Sequence, residues 1–207
     1  MKLSLVAIIA CAALLILPFI VFLNKSLFIS VYNKYRVSFL DGGGESCLKE
    51  LEKTKAVFTT LGNQGTAACP VKNAVRVSKF KDTSLSSSVI LSCPAAVDTA
   101  NWVADIEAKH ITHMGTLNCR ARRGSGLMSE HSFGVAIDIS KIDDAIISKH
   151  WANKGDKGKT LRKAASAACS HFSNVLTPET NKLHHDHFHL DSGIGFQCDA
   201  LAKIKVR

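Results

Sequence analysis

The chain has 207 residues and a formal net charge of +9. This length allows one medium-sized domain with a short appendage and leaves no room for a second large domain. The positive charge suits an anionic partner, but by itself it does not choose among cell-wall polymer, lipid headgroups and nucleic acid.

The N-terminal segment from Leu3 to Leu23 is uncharged and almost wholly apolar. As a helix it would extend about 30 Å, which is enough to cross the core of a bilayer. A cleaved signal peptide is the alternative, but the run is long and no clear Ala-x-Ala site follows it. Residues 8–11 resemble a lipoprotein acylation signal, yet the apolar run continues far past Cys11. We therefore expect residues 1–23 to be an uncleaved transmembrane anchor.

Residues 24–44 are predicted to be a juxtamembrane linker that ends in three glycines, and residues 45–207 form the domain. Helices and strands mix there without a regular strand–helix–strand alternation, which favours an α+β fold. The predicted elements are a helix at 46–55, strands at 74–77 and 88–91 joined by a Ser-rich turn, a helix at 94–109, strands at 112–118 and 135–140, a segment at 145–148 that could pair with the latter, a helix at 159–172 and a strand at 187–190.

The cysteines bear on the compartment of the domain. Six of the seven lie in the domain and none forms a C-x-x-C pair: Cys47, Cys69, Cys93, Cys119, Cys169 and Cys198. Such a scattered even set predicts three disulfides in an oxidising compartment, with free structural thiols as the alternative. The basic residues after the apolar run favour a cytoplasmic domain by the positive-inside rule, but their excess is small. We therefore expect a single-pass membrane protein whose domain faces an oxidising compartment outside the cytoplasm.

Nucleic acid is not an expected partner, because an exported domain seldom meets it. Residues 153–160 echo a phosphate-binding loop, but Asn153 stands where the first glycine is required, so no nucleotide binding is expected.

Two short segments carry the residues that could do chemistry. Four of the nine histidines fall within residues 184–189, interrupted by Asp186. His187 and His189 are two apart, so on a strand both face one side, which suits metal binding; a solvated polar turn is the alternative. Separately, Gly134 allows a tight turn after His131, and the strand that follows can bring Asp138 back toward it.

Together these segments resemble the signature of the LAS-type zinc peptidases, which include D-Ala-D-Ala carboxypeptidases and penicillin-insensitive murein endopeptidases. The bacterial extensin-like C-terminal domain family is a closer resemblance. It is carried by Cys119-Arg120 with residues 127–139, and by residues 175–178 with residues 184–191. The resemblance spans residues 47–198 and departs at Leu117, where the family pattern has an aromatic residue. It implies a single LAS/Hedgehog-like domain with a small, mostly antiparallel sheet and flanking helices.

The resemblance also implies a ligand set and a mechanism. His131, Asp138 and His189 would bind Zn²⁺, with water in the fourth position. Asp186 would be the general base, and His187 would stabilise the oxyanion or orient Asp186. The implied disulfides are Cys47–Cys69, Cys93–Cys119 and Cys169–Cys198, although the sequence alone leaves 15 connectivities open.

Around this site, Arg120 and Arg122 are candidates to bind the terminal carboxylate of a peptide, with a solvated basic loop as the alternative. His184 could contact the metal ligands without binding the ion itself, or it could be a surface residue. The implied function is hydrolysis of peptidoglycan stem peptides near D-amino acids by a zinc peptidase. The alternative is a zinc-stabilised cell-wall binding or interaction domain without turnover.

Overall fold

The structure is a computed structural model that describes Ile29, Tyr32 and residues 43–198. The predicted anchor at residues 1–23 lies outside the described residues. Within the part of the chain that is described, no helix has the length and apolar character needed to cross a membrane.

Four helices and nine strands alternate irregularly within residues 43–198. The helices are α1 (Gly44–Lys53), α2 (Cys93–Ile106), α3 (Ile147–His150) and α4 (Asp156–Ala168). The strands are β1 (Ala56–Thr66), β2 (Cys69–Phe80), β3 (Thr83–Ser92), β4 (His110–Gly115), β5 (Ala136–Ile142), β6 (Ala145–Ile146), β7 (Asn174–Leu176), β8 (Phe188–Asp191) and β9 (Gln197–Cys198). Two 3-10 turns, Glu130–Phe133 and Lys182–His184, precede β5 and β8.

All nine strands belong to one sheet, in the order β1-β2-β3-β4-β5-β8-β7-β9, with β6 paired to β5. The pairs β3/β4 and β7/β9 are parallel and the others are antiparallel. The mixed fold and the mostly antiparallel sheet agree with the sequence prediction. The sheet is nevertheless larger than the small one expected.

Strand β1 was not predicted, and the Ser-rich turn was placed wrongly. Most of β1 is exposed at the sheet edge, and its sequence includes two glycines, so it lacks the apolar alternation that marks a half-buried strand. The turn between β2 and β3 is Lys81-Asp82, where Lys81 adopts a φ of 43°. The serines at 84 and 86–88 belong to β3, because its exposed face accepts polar side chains.

The core lies between the sheet and the helices α2 and α4. Trp102 of α2 is fully buried, and its indole N–H donates to the backbone carbonyl of Ala164 in α4 at 2.9 Å. Its ring also makes an edge contact with Phe172, whose centroid lies 6.2 Å away. The apolar periodicity that predicted both helices therefore identified the face that each one buries.

Strand alternation decides which side chains face away from this core. Ile137 and Ile139 of β5 are fully buried in the core, so Asp138 between them points to the opposite face. In the same way, Phe188 packs edge-on against Trp151, and its neighbour His189 faces the other way. Antiparallel pairing of β5 with β8 then sets Asp138 directly across from His189.

The six cysteines form three disulfides, as predicted, but two of the expected pairings are wrong. Cys169 bonds to Cys198, whereas the other bonds are Cys47–Cys93 and Cys69–Cys119. Helix α1 packs against α2 and brings Cys47 to the first residue of that helix. The first residue of β2 lies beside the segment that follows β4. A disulfide needs Cα atoms within about 7 Å, so these tertiary contacts select the partners.

Candidate metal centre

His131, Asp138 and His189 converge on the face of β5 and β8 that points away from the core. Each offers one ligand atom, and these atoms all lie within 4.8 Å of one another. His131 Nε2 is 3.1 Å from Asp138 Oδ2 and 3.2 Å from His189 Nδ1, while His189 Nδ1 is 2.9 Å from Asp138 Oδ1. The structure thus brings together the three residues that the family resemblance implied as metal ligands.

The remote nitrogen of each histidine is held by an acceptor outside the cluster. His131 Nδ1 donates to the backbone carbonyl of Thr116 at 2.6 Å, and His189 Nε2 donates to Asp191 Oδ2 at 3.0 Å. Such bonds leave His131 Nε2 and His189 Nδ1 as the nitrogens that point inward and can present lone pairs to a cation. Two imidazole nitrogens with one carboxylate are the donor set of catalytic zinc, so these residues fit that ion.

Gly134 shapes the turn that carries His131. It ends the 3-10 turn Glu130–Phe133 with a φ of 65°, a left-handed conformation that favours glycine. A Cβ at this position would lie 2.7 Å from Val71 Cγ1 and 3.2 Å from the backbone nitrogen of Ser92. The glycine predicted from the motif is therefore required by both backbone conformation and space.

Gly134→Ala is expected to lower the free energy of unfolding by roughly 2–4 kcal/mol, because it adds left-handed strain and a close contact with β2. Urea unfolding measures the change. Gly155→Ala is the control, since Gly155 has a negative φ and open space around its Cβ position. It should cost less than about 1 kcal/mol. Equal losses in the two variants would contradict this account of Gly134.

In the metal-free chain, the hydrogen bonds among these residues shift the pKa values of Asp138 and His189 in opposite directions. Burial alone would raise the pKa of Asp138, but hydrogen bonds from His131 and His189 hold it well below its usual range. Burial would lower the pKa of His189, but its bonds to Asp138 and Asp191 raise it to about 9. At neutral pH the metal-free His189 ring is therefore a cation, and a bound metal would replace its inward proton.

Without metal, the free energy of unfolding is expected to fall as the pH rises from about 6.5 to above 9. The folded pKa of His189 lies above its ordinary value of 6.5, so its protonation stabilises the fold below 6.5 and this stability is lost as the pH passes 9. The loss should be roughly 3 kcal/mol, measured by urea unfolding in the presence of chelator. His189→Gln should remove this dependence. A wild-type stability that falls no more steeply than that of the variant would refute the prediction.

His187 lies beside the three converging residues, immediately before β8 rather than within it. Its Nδ1 donates to Asp186 Oδ1 at 2.7 Å, and its Nε2 is 3.7 Å from Asp138 Oδ1. This hydrogen bond holds the pKa of Asp186 below its usual range. The His187 ring therefore reaches the cluster, and Asp186 orients that ring from the partly exposed side.

His184 also lies next to the cluster, in the 3-10 turn Lys182–His184. Its ring centroid is 5.2 Å from that of His187 and 5.7 Å from that of His189. Its Nδ1 lies 2.9 Å from Asn181 Oδ1. Burial, together with the neighbouring His189 and His187 rings, lowers the pKa of His184 to about 4, so it is neutral at pH 7.

The two candidate arginines have different environments. Arg122 Nη2 lies 2.7 Å from Glu130 Oε1, and the Glu130 side chain is only 2% exposed. This ion pair fastens the loop at 120–128 to the residue that precedes His131. Arg120 has an exposed side chain, while its backbone N–H donates to Ser132 Oγ. Of the two, Arg120 has the guanidinium available to an anionic ligand.

Residues 45–198 match the model of a protein family described as Extensin-like protein C-terminus. The chain belongs to this family. The matched range contains the three disulfides and every residue of the extensin-like site discussed above. No significant match was found among curated proteins or among solved structures.

Sequence reasoning missed three residues that hold the extensin-like site together. Thr116 acts through its backbone carbonyl, which no side-chain pattern reveals. Glu130 is a buried acid whose partner Arg122 lies on another segment. Asp191 could have been found, because a residue two positions after His189 on a strand faces the same side.

Proposed function

We propose that this extensin-like protein is a zinc-dependent peptidase that hydrolyses amide bonds of peptidoglycan stem peptides near D-amino acids. The observation that carries the proposal is the convergence of His131, Asp138 and His189, with the remote histidine nitrogens bonded elsewhere. The resemblance of both motifs to LAS-type zinc peptidases supports the reaction and the substrate class.

His131, Asp138 and His189 would hold the ion and leave a fourth position for water. Bound zinc would polarise the substrate carbonyl and lower the pKa of a water toward about 7. The three residues are half-buried or buried, which limits competition from bulk water.

Proton transfer is assigned to Asp186 and His187. The sequence predicted Asp186 as the base, yet its hydrogen bond goes to His187, whose Nε2 lies 3.7 Å from Asp138 Oδ1. In this arrangement His187 can exchange a proton at Nε2 with water or the leaving amine, while Asp186 fixes the orientation of its ring. Asp186 thus supports the reaction through His187.

Recognition of a peptide carboxylate is assigned to Arg120. Its guanidinium is exposed, and the segment that carries it is fastened by the disulfide Cys69–Cys119 and by the bond from its backbone to Ser132. Arg122 contributes by holding the loop through Glu130. The excess positive charge of the domain also suits an anionic cell-wall polymer.

We further propose that residues 1–23 anchor the chain in the bacterial inner membrane and that the domain faces the periplasm. Three disulfides support this location, because such bonds persist in oxidising compartments. A periplasm-dependent reporter fused after Arg207 should be active, and a cytoplasm-dependent reporter should be silent. The reverse result would place the domain in the cytoplasm.

The decisive test of function is incubation of the purified domain with defined muropeptides, with and without a chelator. Cleavage that stops with the chelator and returns with Zn²⁺ is the expected result. A domain that binds peptidoglycan but cleaves none of these muropeptides would instead be a zinc-stabilised binding module.

A further inference from the structure

Asp191 ends β8 two residues beyond His189. Both side chains lie on the face of the strand that points away from Phe188 and Leu190 in the core. Asp191 is only 2% exposed. A buried carboxylate is costly unless it is fully hydrogen-bonded, so its partners indicate what it does.

Three donors converge on the Asp191 carboxylate. His189 Nε2 donates to Oδ2 at 3.0 Å, while Asn174 Nδ2 and the backbone N–H of Gly193 donate to Oδ1 at 2.8 and 2.9 Å. Asn174 is the residue directly opposite Asp191 in β7. Two donors from outside the cluster therefore fix the carboxylate, and its second oxygen is aimed at the remote nitrogen of His189.

We propose that Asp191 is a positioning residue that keeps the hydrogen of His189 on Nε2, so that Nδ1 presents its lone pair to the metal. This inference rests on the proposed zinc site. Without Asp191, His189 can carry its hydrogen on either nitrogen, and the inward Nδ1 is no longer reserved for the ion. Removal of such outer partners commonly weakens metal binding about 10–100-fold.

The test compares zinc affinity and histidine tautomer in wild type and Asp191→Asn. Competition with a chromophoric chelator should show binding about 10–100-fold weaker in Asp191→Asn. Asp98→Asn is the matched control, because the Asp98 carboxylate accepts from Ser192 Oγ, beside Asp191 in the chain. This control should retain wild-type zinc affinity within about threefold. Long-range ¹H–¹⁵N spectra of zinc-loaded wild type should show His189 protonated at Nε2 only.

Each outcome separates this inference from the proposed function. If the wild type binds zinc and Asp191→Asn binds it equally well, the role of Asp191 is refuted and the zinc site stands. If the wild type binds no zinc, both are refuted. Should Asp191→Asn fail to fold, the wild-type spectrum still decides, since a zinc-loaded His189 protonated at Nδ1 would refute the proposal.

Discussion

Zinc is expected to leave the chain when either His131 or His189 is replaced by alanine. Each variant removes one of three proposed protein ligands and leaves two. Structural zinc sites with four ligands gain about 10–16 kcal/mol on binding, so loss of one ligand should weaken affinity by more than a hundredfold. Metal analysis after dialysis should find about one zinc per wild-type chain and almost none in the variants.

His185→Ala is the control for this experiment. His185 belongs to the same histidine-rich segment, but its side chain is 71% exposed and its Nδ1 lies 3.0 Å from the backbone carbonyl of Lys182. It should retain wild-type zinc content. Full zinc occupancy in both His131→Ala and His189→Ala would show that the ligands have been assigned wrongly.

Asp186→Asn is expected to lower muropeptide turnover by roughly a hundredfold or more while zinc remains bound. The amide keeps the size of the carboxylate but removes the charged acceptor that holds the His187 ring. The largest fall should be in kcat, since Asp186 is not placed in substrate binding. His187→Gln should reduce turnover at least as much, because His187 Nε2 lies 3.7 Å from Asp138 Oδ1 and is the atom proposed to exchange the proton.

A second Asp–His pair supplies the control. Asp105 Oδ2 lies 2.7 Å from His171 Nε2, the same separation as in the Asp186–His187 pair, but neither residue contacts the three converging ligands. Asp105→Asn should therefore leave turnover unchanged. If Asp186→Asn retains wild-type turnover, proton transfer does not pass through this pair. If the wild type cleaves no muropeptide, and the wild type and Asp186→Asn bind peptidoglycan equally well, the binding-module alternative replaces the enzyme.

The helices were predictable because their signals are local. The apolar spacing at 94–109 predicted α2, which spans Cys93–Ile106, and the spacing at 159–172 predicted α4, whose last residue is Ala168. Strand β1 gave no such signal, since an exposed edge strand needs no apolar alternation. Local periodicity thus identifies elements that bury a face and overlooks those that do not.

By itself, the sequence determined the two motifs that carry the candidate site. Strand alternation and a glycine turn are local properties, and they indicated that His187 and His189 could share a face and that Asp138 could return toward His131. The ligand set His131, Asp138 and His189 was implied by the resemblance of the two motifs to the extensin-like family and the LAS-type zinc peptidases. The even number of scattered cysteines likewise predicted three disulfides.

Only the tertiary structure decided which of these residues meet. The pairing of β5 with β8 sets Asp138 across from His189, and the packing of α1 on α2 joins Cys47 to Cys93 instead of Cys69. The tertiary structure also pairs Arg122 with Glu130 in an ion pair and places Asp186 in a hydrogen bond with His187. Spacing along a chain fixes the face of a strand or helix on which a side chain lies. The partner of that side chain depends on which distant segment packs against the same face, and this packing is determined by the core as a whole.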